Sequence, residues 1–251
     1  MPRMRDHVYE APAETLAALP ANVDLRDRFP PVFHQGHLHS CTANAVVAVI
    51  QFLQQTGQHA ETAPLSRLFL YYNARKLCGT EGTDGGSRIR DALKSINTVG
   101  VCDEPQWPYP WPTPVDRDQV HALAAVLPPD RCYQGATQHQ LRYQRLRREM
   151  AQLKGCLASG YPFVFGFSMS EAFNKSDPDL VGGQLPLPPP DEALGAGHAV
   201  VAVGYDNARD CFLIRNSWGP DWGIGGHCLM PYAFLMHPHR ASDFWTIRSF
   251  A

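Results

Sequence analysis

The segment that most constrains the fold is CTANAVVAVIQFLQQ, from Cys41 to Gln55. Val46, Val47, Val49, Ile50, Phe52 and Leu53 occupy almost the whole circumference of a helix and leave a narrow polar stripe. No run in the chain approaches the ~18 apolar residues of a membrane span, so this helix must be buried by other parts of the same body. Ser40 stands where a cap is expected and Gly57 where the helix should end. The 251 residues leave room for one large domain or two lobes around such a core. At 44% hydrophobic and 18% charged, the chain is too apolar for disorder. Lysine and arginine number 22 against 24 acidic residues, and this net charge of −2 offers no basic field for nucleic acid.

Residues 1–20 are polar and rich in Ala and Pro, and read as an arm outside the core. The start, MPRMRDHVYE, has no apolar segment after its arginines, so no signal peptide is visible. Localisation stays open between cytoplasm and export by another route. A second helix is predicted from Ser66, with Leu68, Phe69, Tyr72 and Leu77 on or near one face. After Gly85 and Gly86, the recurrence of Ile89, Leu93 and Ile96 predicts a third. The prolines of 105–114, PQWPYPWPTP, exclude regular helix and central strand and predict an extended crossing between two halves. A further helix is predicted over about 138–158, with Leu146, Met150, Leu153 and Leu157 inward. Arg142, Arg145, Arg147, Arg148 and Lys154 read as its solvated face, with an anion patch as the alternative. The last third is different. PFVFGFSM, HAVVAVGY, CFLIRN and GHCLMPY are short β-type runs bounded by turn formers. Residues 170–196 lack periodicity and read as a surface loop. Helices first and strands later define an α+β chain with a helical half and a sheet half.

Seven cysteines leave at least one thiol unpaired, and none lie in a Cys-x-x-Cys spacing. Cys41 opens the buried helix, where free backbone N–H groups and the helix dipole favour a thiolate. A Cys in that place is also compatible with a small buried hydrophobe. HAVVAVGY and CFLIRN flank the turn-rich DNAR and should pair as an antiparallel hairpin. A loop centred on Asn207 sets His198 opposite Asn216; one centred on Ala208 moves the pairing by two residues and keeps the face. An Asn amide beside an imidazole fixes one ring nitrogen and leaves the other for a thiol.

The runs Gln35-Gly-His-Leu-His-Ser-Cys41, Gly197-His198-Ala-Val-Val-Ala-Val-Gly-Tyr205 and Asn216-Ser-Trp-Gly-Pro-Asp-Trp-Gly-Ile-Gly-Gly226 together resemble the papain-like cysteine peptidases. The likeness extends over roughly residues 20–250, with Gly85, Gly86 and Trp107-Pro108-Tyr109 as further landmarks. The Cys-to-His separation slightly exceeds the roughly 130–150 residues usual there, and the Pro-rich insertion accounts for it. The resemblance implies a two-lobed fold: a helical lobe mainly at 41–115, a β-sheet or barrel lobe mainly at 135–251, and a cleft between. Residues 21–251 would form the catalytic domain, and residues 1–20 an arm or short pro-segment able to inhibit. It implies Cys41 as nucleophile, His198 as general base then acid, Asn216 as its orienter, and Gln35 as an oxyanion donor. Trp218 would shield the His–Asn pair, with Trp222 nearby, and Gly85 and Gly86 would lie along a peptide substrate. No metal or organic cofactor is implied, and the partners are peptides or proteins.

Some positions depart from the family pattern. Leu38 and Thr83 stand where a neighbouring disulfide is expected, and Thr42 replaces an aromatic on the leaving-group side. Ser-Cys-Thr-Ala-Asn-Ala and the short arm look more like bacterial members than lysosomal or vacuolar ones. Gly166 and Gly197 are expected to line a roomy, uncharged pocket for the second residue upstream of the cut, one that tolerates bulky apolar side chains. Two other readings stand beside this one: an inactive relative that binds peptides, and a metal site made by His34, His37, His39 and Cys41.

Overall fold

The computed structural model describes residues 6–56, 63–110, 116–136, 141–174, 183–189, 191–193 and 195–250. The elements run α1 (Ala13–Ala17), β1 (Asn22–Asp24), α2 (Cys41–Thr56), α3 (Arg67–Lys76), α4 (Ile89–Val99), α5 (Arg117–Ala124) and α6 (Asp130–Gln134). There follow β2 (Leu141–Arg145), α7 (Met150–Ala158), β3 (Phe163–Ser168), α8 (Glu171–Asn174), β4 (Gly197–Asp206), β5 (Cys211–Arg215), β6 (His227–Pro231), α9 (Tyr232–Met236) and β7 (Ala241–Phe250).

The apolar circumference of α2 is satisfied from two sides: α3 and α4 pack on it, and so do β3, β4 and β7. Every residue from Thr42 to Ile50 is buried. Gly57 lies outside the described residues. Ser66 caps α3, its side chain accepting from the Phe69 N–H at 3.1 Å. Leu77, just past that helix, is exposed. The stripe Ile89, Leu93, Ile96 is the buried face of α4.

The strands form one antiparallel sheet in the order β2-β7-β3-β4-β5-β6, with β1 also pairing β4. It is not closed into a barrel. β4 reads as a continuous apolar run because α2 and α7 both pack against it.

The long helix expected over 138–158 is not one element. Residues 138–140 lie outside the described residues, β2 occupies 141–145, and only Met150–Ala158 is helical. Leu146, Leu153 and Leu157 are buried as expected. The Leu146 N–H, however, donates to the Phe244 carbonyl of β7, so the apolar spacing spans a strand end and a helix. The basic residues therefore share no helix face: Arg142 and Arg147 are exposed, while Arg145, Arg148 and Lys154 are half-buried. Arg148 donates to the carbonyls of His237, Pro238 and Ala241 at 3.3, 3.0 and 2.9 Å. Lys154 lies 4.0 Å from the Tyr232 ring centroid.

The N-terminal arm is also less peripheral than expected. Tyr9 and Ala11 belong to the core, and the Tyr9 N–H donates to the Arg145 carbonyl at 2.8 Å. In the proline-rich crossing Trp107 and Tyr109 are buried; residues 111–114 lie outside the described residues. All seven cysteines are free thiols.

Candidate active site

Cys41 is the first residue of α2 and is partly exposed at a cleft of about 980 Å³. One wall carries Gln35, Leu38, His39, Thr42 and Gly85 to Ile89; the other carries Gly166, Ala196 to Ala199, Trp218 and Arg240 to Asp243. The Ser40 side chain does not cap the helix in the expected way. Its hydroxyl lies 2.5 Å from the Tyr109 hydroxyl, and the Asn44 amide donates to it at 3.0 Å. Burial raises the Cys41 thiol, and the Ala199 backbone is the largest influence that lowers it. Ala199 directly follows His198 on β4, and both line the cleft with Cys41.

His198 and Asn216 meet, but not as directly opposed strand residues. The β4–β5 ladder pairs Val201 with Arg215 and Ala202 with Ile214, the register of a loop centred on Ala208. A bulge between Ala202 and Gly204 then shifts it by one. Asn216 lies just past β5, two positions diagonal to His198, and reaches back along the same face. His198 Nε2 and Asn216 Oδ1 are 2.8 Å apart. The Ser217 N–H donates to the same oxygen at 2.8 Å, which fixes that atom as an acceptor and Nε2 as the protonated nitrogen. Nδ1 is thereby the nitrogen left for chemistry.

Aromatic rings enclose this pair. The Trp218 ring centroid lies 4.9 Å from that of His198, and Phe173 and Phe167 lie at 5.7 and 5.8 Å. Trp222 packs edge-on to Trp218 at 5.7 Å. Excluding water has an electrostatic consequence. Burial pushes the His198 imidazole down to about 4 against the upward pull of Asn216, and burial pushes the Cys41 thiol up.

Gln35 is held at both ends of its side chain. Nε2 donates to the Leu38 carbonyl at 2.8 Å and Oε1 accepts from Ser217 Oγ at 2.7 Å. One Nε2 hydrogen remains, and Gln35 borders the cleft with Cys41. Gly86 has φ of +77°, a conformation that explains its lack of a side chain. Its N–H already donates to the Tyr71 hydroxyl at 3.1 Å, so only its carbonyl is left for a substrate backbone.

A Cβ added at Gly166 would meet its nearest atom, the Ser242 carbonyl, at 3.6 Å, and one at Gly197 would meet nothing within 4 Å. Space is present beside both. Asp243 borders the same cleft, with a carboxyl that burial pushes upward and that accepts the Trp245 Nε1–H at 2.7 Å. The four candidate metal ligands do not converge. His34 Nδ1 accepts the Gly36 N–H at 2.9 Å, and His39 Nδ1 lies 2.6 Å from the Asp84 carbonyl. Among the described residues no group of three His, Cys, Asp or Glu side chains is placed to hold a metal ion.

Sequence reasoning missed Phe173, Asp243 and Tyr71, and met Tyr109 only as a landmark of the resemblance. Phe173 fell in a stretch without periodicity, and Asp243 and Tyr71 have no local signal that distinguishes them from ordinary turn or core residues.

The papain family cysteine protease model matches residues 19–234. An uncharacterized peptidase C1-like protein of Acanthamoeba polyphaga mimivirus is 36% identical over 85% of this chain and 68% of its own length. Cysteine proteinase 1 of Entamoeba histolytica is 26% identical over 84% of this chain and 63% of its own. Among solved structures, xylellain, a cysteine protease from Xylella fastidiosa, superposes with a TM-score of 0.89 at 40% identity, covering 99% of this chain and 93% of that one. The chain therefore belongs to the papain family of cysteine proteases. It is a thiol-dependent peptidase, a hydrolase of peptide bonds.

Proposed function

We propose that Cys41 is the nucleophile of this peptidase and that His198, Asn216 and Gln35 are its catalytic partners. The observation that carries the reading is the hydrogen bond from His198 Nε2 to Asn216 Oδ1, with His198 lining the same cleft as Cys41. Burial opposes each charge when it is formed alone. Moving the Cys41 proton to His198 Nδ1 creates both charges together, so each offsets the other, and the α2 N-terminus favours the thiolate. The thiolate attacks the peptide carbonyl, while the Cys41 N–H and the remaining Gln35 Nε2 hydrogen face the developing oxyanion. Imidazolium then gives its proton to the leaving amine. Neutral His198 next takes a proton from water, which attacks the thioester and releases the acid and the thiol.

On this reading a peptide or protein substrate runs along Gly85 and Gly86, with its second upstream side chain beside Gly166 and Gly197 and Trp218 walling the other end. The room beside the two glycines favours bulky apolar side chains there, with Asp243 at the border. The N-terminal arm is an inhibitory pro-segment and residues 21–251 the catalytic domain. In support, Asp6 of the arm pairs with Arg90 at 2.9 Å, next to the cleft-lining Ile89. The affinity with bacterial members is supported by xylellain, although the mimivirus relative shows that such similarity is not confined to bacteria.

The test is hydrolysis of a fluorogenic peptide. Cys41→Ala should abolish turnover with an unchanged melting temperature, and deletion of the arm should raise turnover. Activity retained by Cys41→Ala would overturn the assignment of the nucleophile.

A further inference from the structure

A cluster of titratable side chains stands at the cleft edge, outside the catalytic group. At its centre is Asp84, whose side chain is only 5% exposed. The His39 N–H, two residues before Cys41, donates to its carboxylate oxygens at 3.1 and 3.3 Å. His39 Nδ1 lies 2.6 Å from the Asp84 carbonyl, an atom that only accepts, so this nitrogen carries the proton. His121 of α5 places Nδ1 2.5 Å from Oδ2, and the Tyr71 hydroxyl of α3 donates to Oδ1. Burial and the neighbouring carboxylate push Tyr71 upward, which keeps it a protonated donor. Tyr71 in turn accepts the Gly86 N–H at 3.1 Å.

One buried carboxylate thus ties together the turn that carries the nucleophile and the glycine turn facing it, through partners from α3 and α5. His39 and Asp84 are the immediate neighbours of Leu38 and Thr83. The link is polar and runs through the side chain that fixes the Gly86 amide. A carboxylate accepting several hydrogen bonds in one geometry holds both loops more firmly than any one of those bonds does.

We propose that Asp84 is a positioning residue for extended substrates: acting through Tyr71, its side chain fixes the Gly86 backbone against which a peptide is laid, while the turn carrying Cys41 is also tied by His39 Nδ1 to the Asp84 backbone carbonyl. This rests on the reading of Cys41 and Gly86 given above.

The test separates binding from chemistry. Asp84→Asn keeps the shape but removes the charge and part of the accepting capacity. With a fluorogenic tetrapeptide substrate, KM should rise roughly tenfold or more, with kcat changed less than about threefold. The rate of Cys41 alkylation by iodoacetamide, which needs no Gly86 contact, should stay within about twofold of the parent. Tyr71→Phe removes the acceptor of the Gly86 N–H and should show the same split; it decides the matter if Asp84→Asn does not fold. An unchanged KM, or a fall of kcat and alkylation together, overturns the proposal. If the parent itself lost no activity on alkylation of Cys41, the nucleophile assignment would fail instead, so the two failures are distinct.

Discussion

His198 Nε2 and Asn216 Oδ1 lie 2.8 Å apart although neither residue faces the other across the β4–β5 ladder. The contact depends on the bulge between Ala202 and Gly204 and on Asn216 leaving the strand just past Arg215. A hydrogen bond made this way orients the ring, and its loss should mainly reduce the rate.

Asn216→Ala should therefore lower kcat roughly 10- to 100-fold, the equivalent of a charge-assisted hydrogen bond of about 1.5–3 kcal/mol. KM should stay within about threefold. Steady-state kinetics on one peptide checks this, and a loss confined to KM would contradict the orienting role.

The opposed shifts of Cys41 and His198 give a sharp pH test. If each group titrated alone, the raised thiol would be a thiolate only above its ordinary alkaline range, and the imidazole, held to about 4, would be neutral at pH 5–6. The proposed proton transfer within the pair would instead yield thiolate at pH 5–6, with two apparent pKa values that belong to the pair. The iodoacetamide alkylation rate should remain high at pH 6. A rate rising only above pH 9 would contradict the ion pair.

The strand positions carrying this chemistry were legible in the sequence because their signals are local. An all-round apolar helix has to be central, and two β-type runs around DNAR have to pair. The choice between two hairpin registers was not legible, since both keep His198 and Asn216 on one face. Residues 141–158 misled for a related reason. Leu146, Met150, Leu153 and Leu157 fit a helical period, but β2 exists because β7, far along the chain, offers it an edge. Asp84 and Phe173 gave no signal at all, because their partners come from separate segments.

Phe173 illustrates the consequence. It is fully buried between His198, Trp218 and Trp222, with ring centroids at 5.7, 5.4 and 4.9 Å. Phe173→Ala should destabilise the protein by about 3–5 kcal/mol and lower turnover by admitting water to the His–Asn pair. Urea unfolding with parallel kinetics checks both; a loss below about 1 kcal/mol would mean the ring is not part of the packed wall.

His227, away from the cleft, is one buried imidazole that should make stability acid-sensitive. Burial first, and Arg215 second, hold its imidazole down to about 4. The unfolded chain takes this proton near 6.5, so between the two values the unfolded state binds more protons. The contribution, about 3 kcal/mol at most, is fully present above pH 6.5 and is lost as pH falls toward 4. The melting temperature should fall over that window, and His227→Gln should flatten the slope. An identical slope in the variant would assign acid sensitivity elsewhere.

The most direct test of the central claim is intact mass after treatment with an epoxide inhibitor of thiol peptidases, followed by peptide mapping. The parent should gain one inhibitor mass, located on Cys41, and lose all activity, while Cys41→Ala gains none. An adduct on the variant, or full activity in a parent labelled at Cys41, would contradict the assignment of this sulfur as the nucleophile.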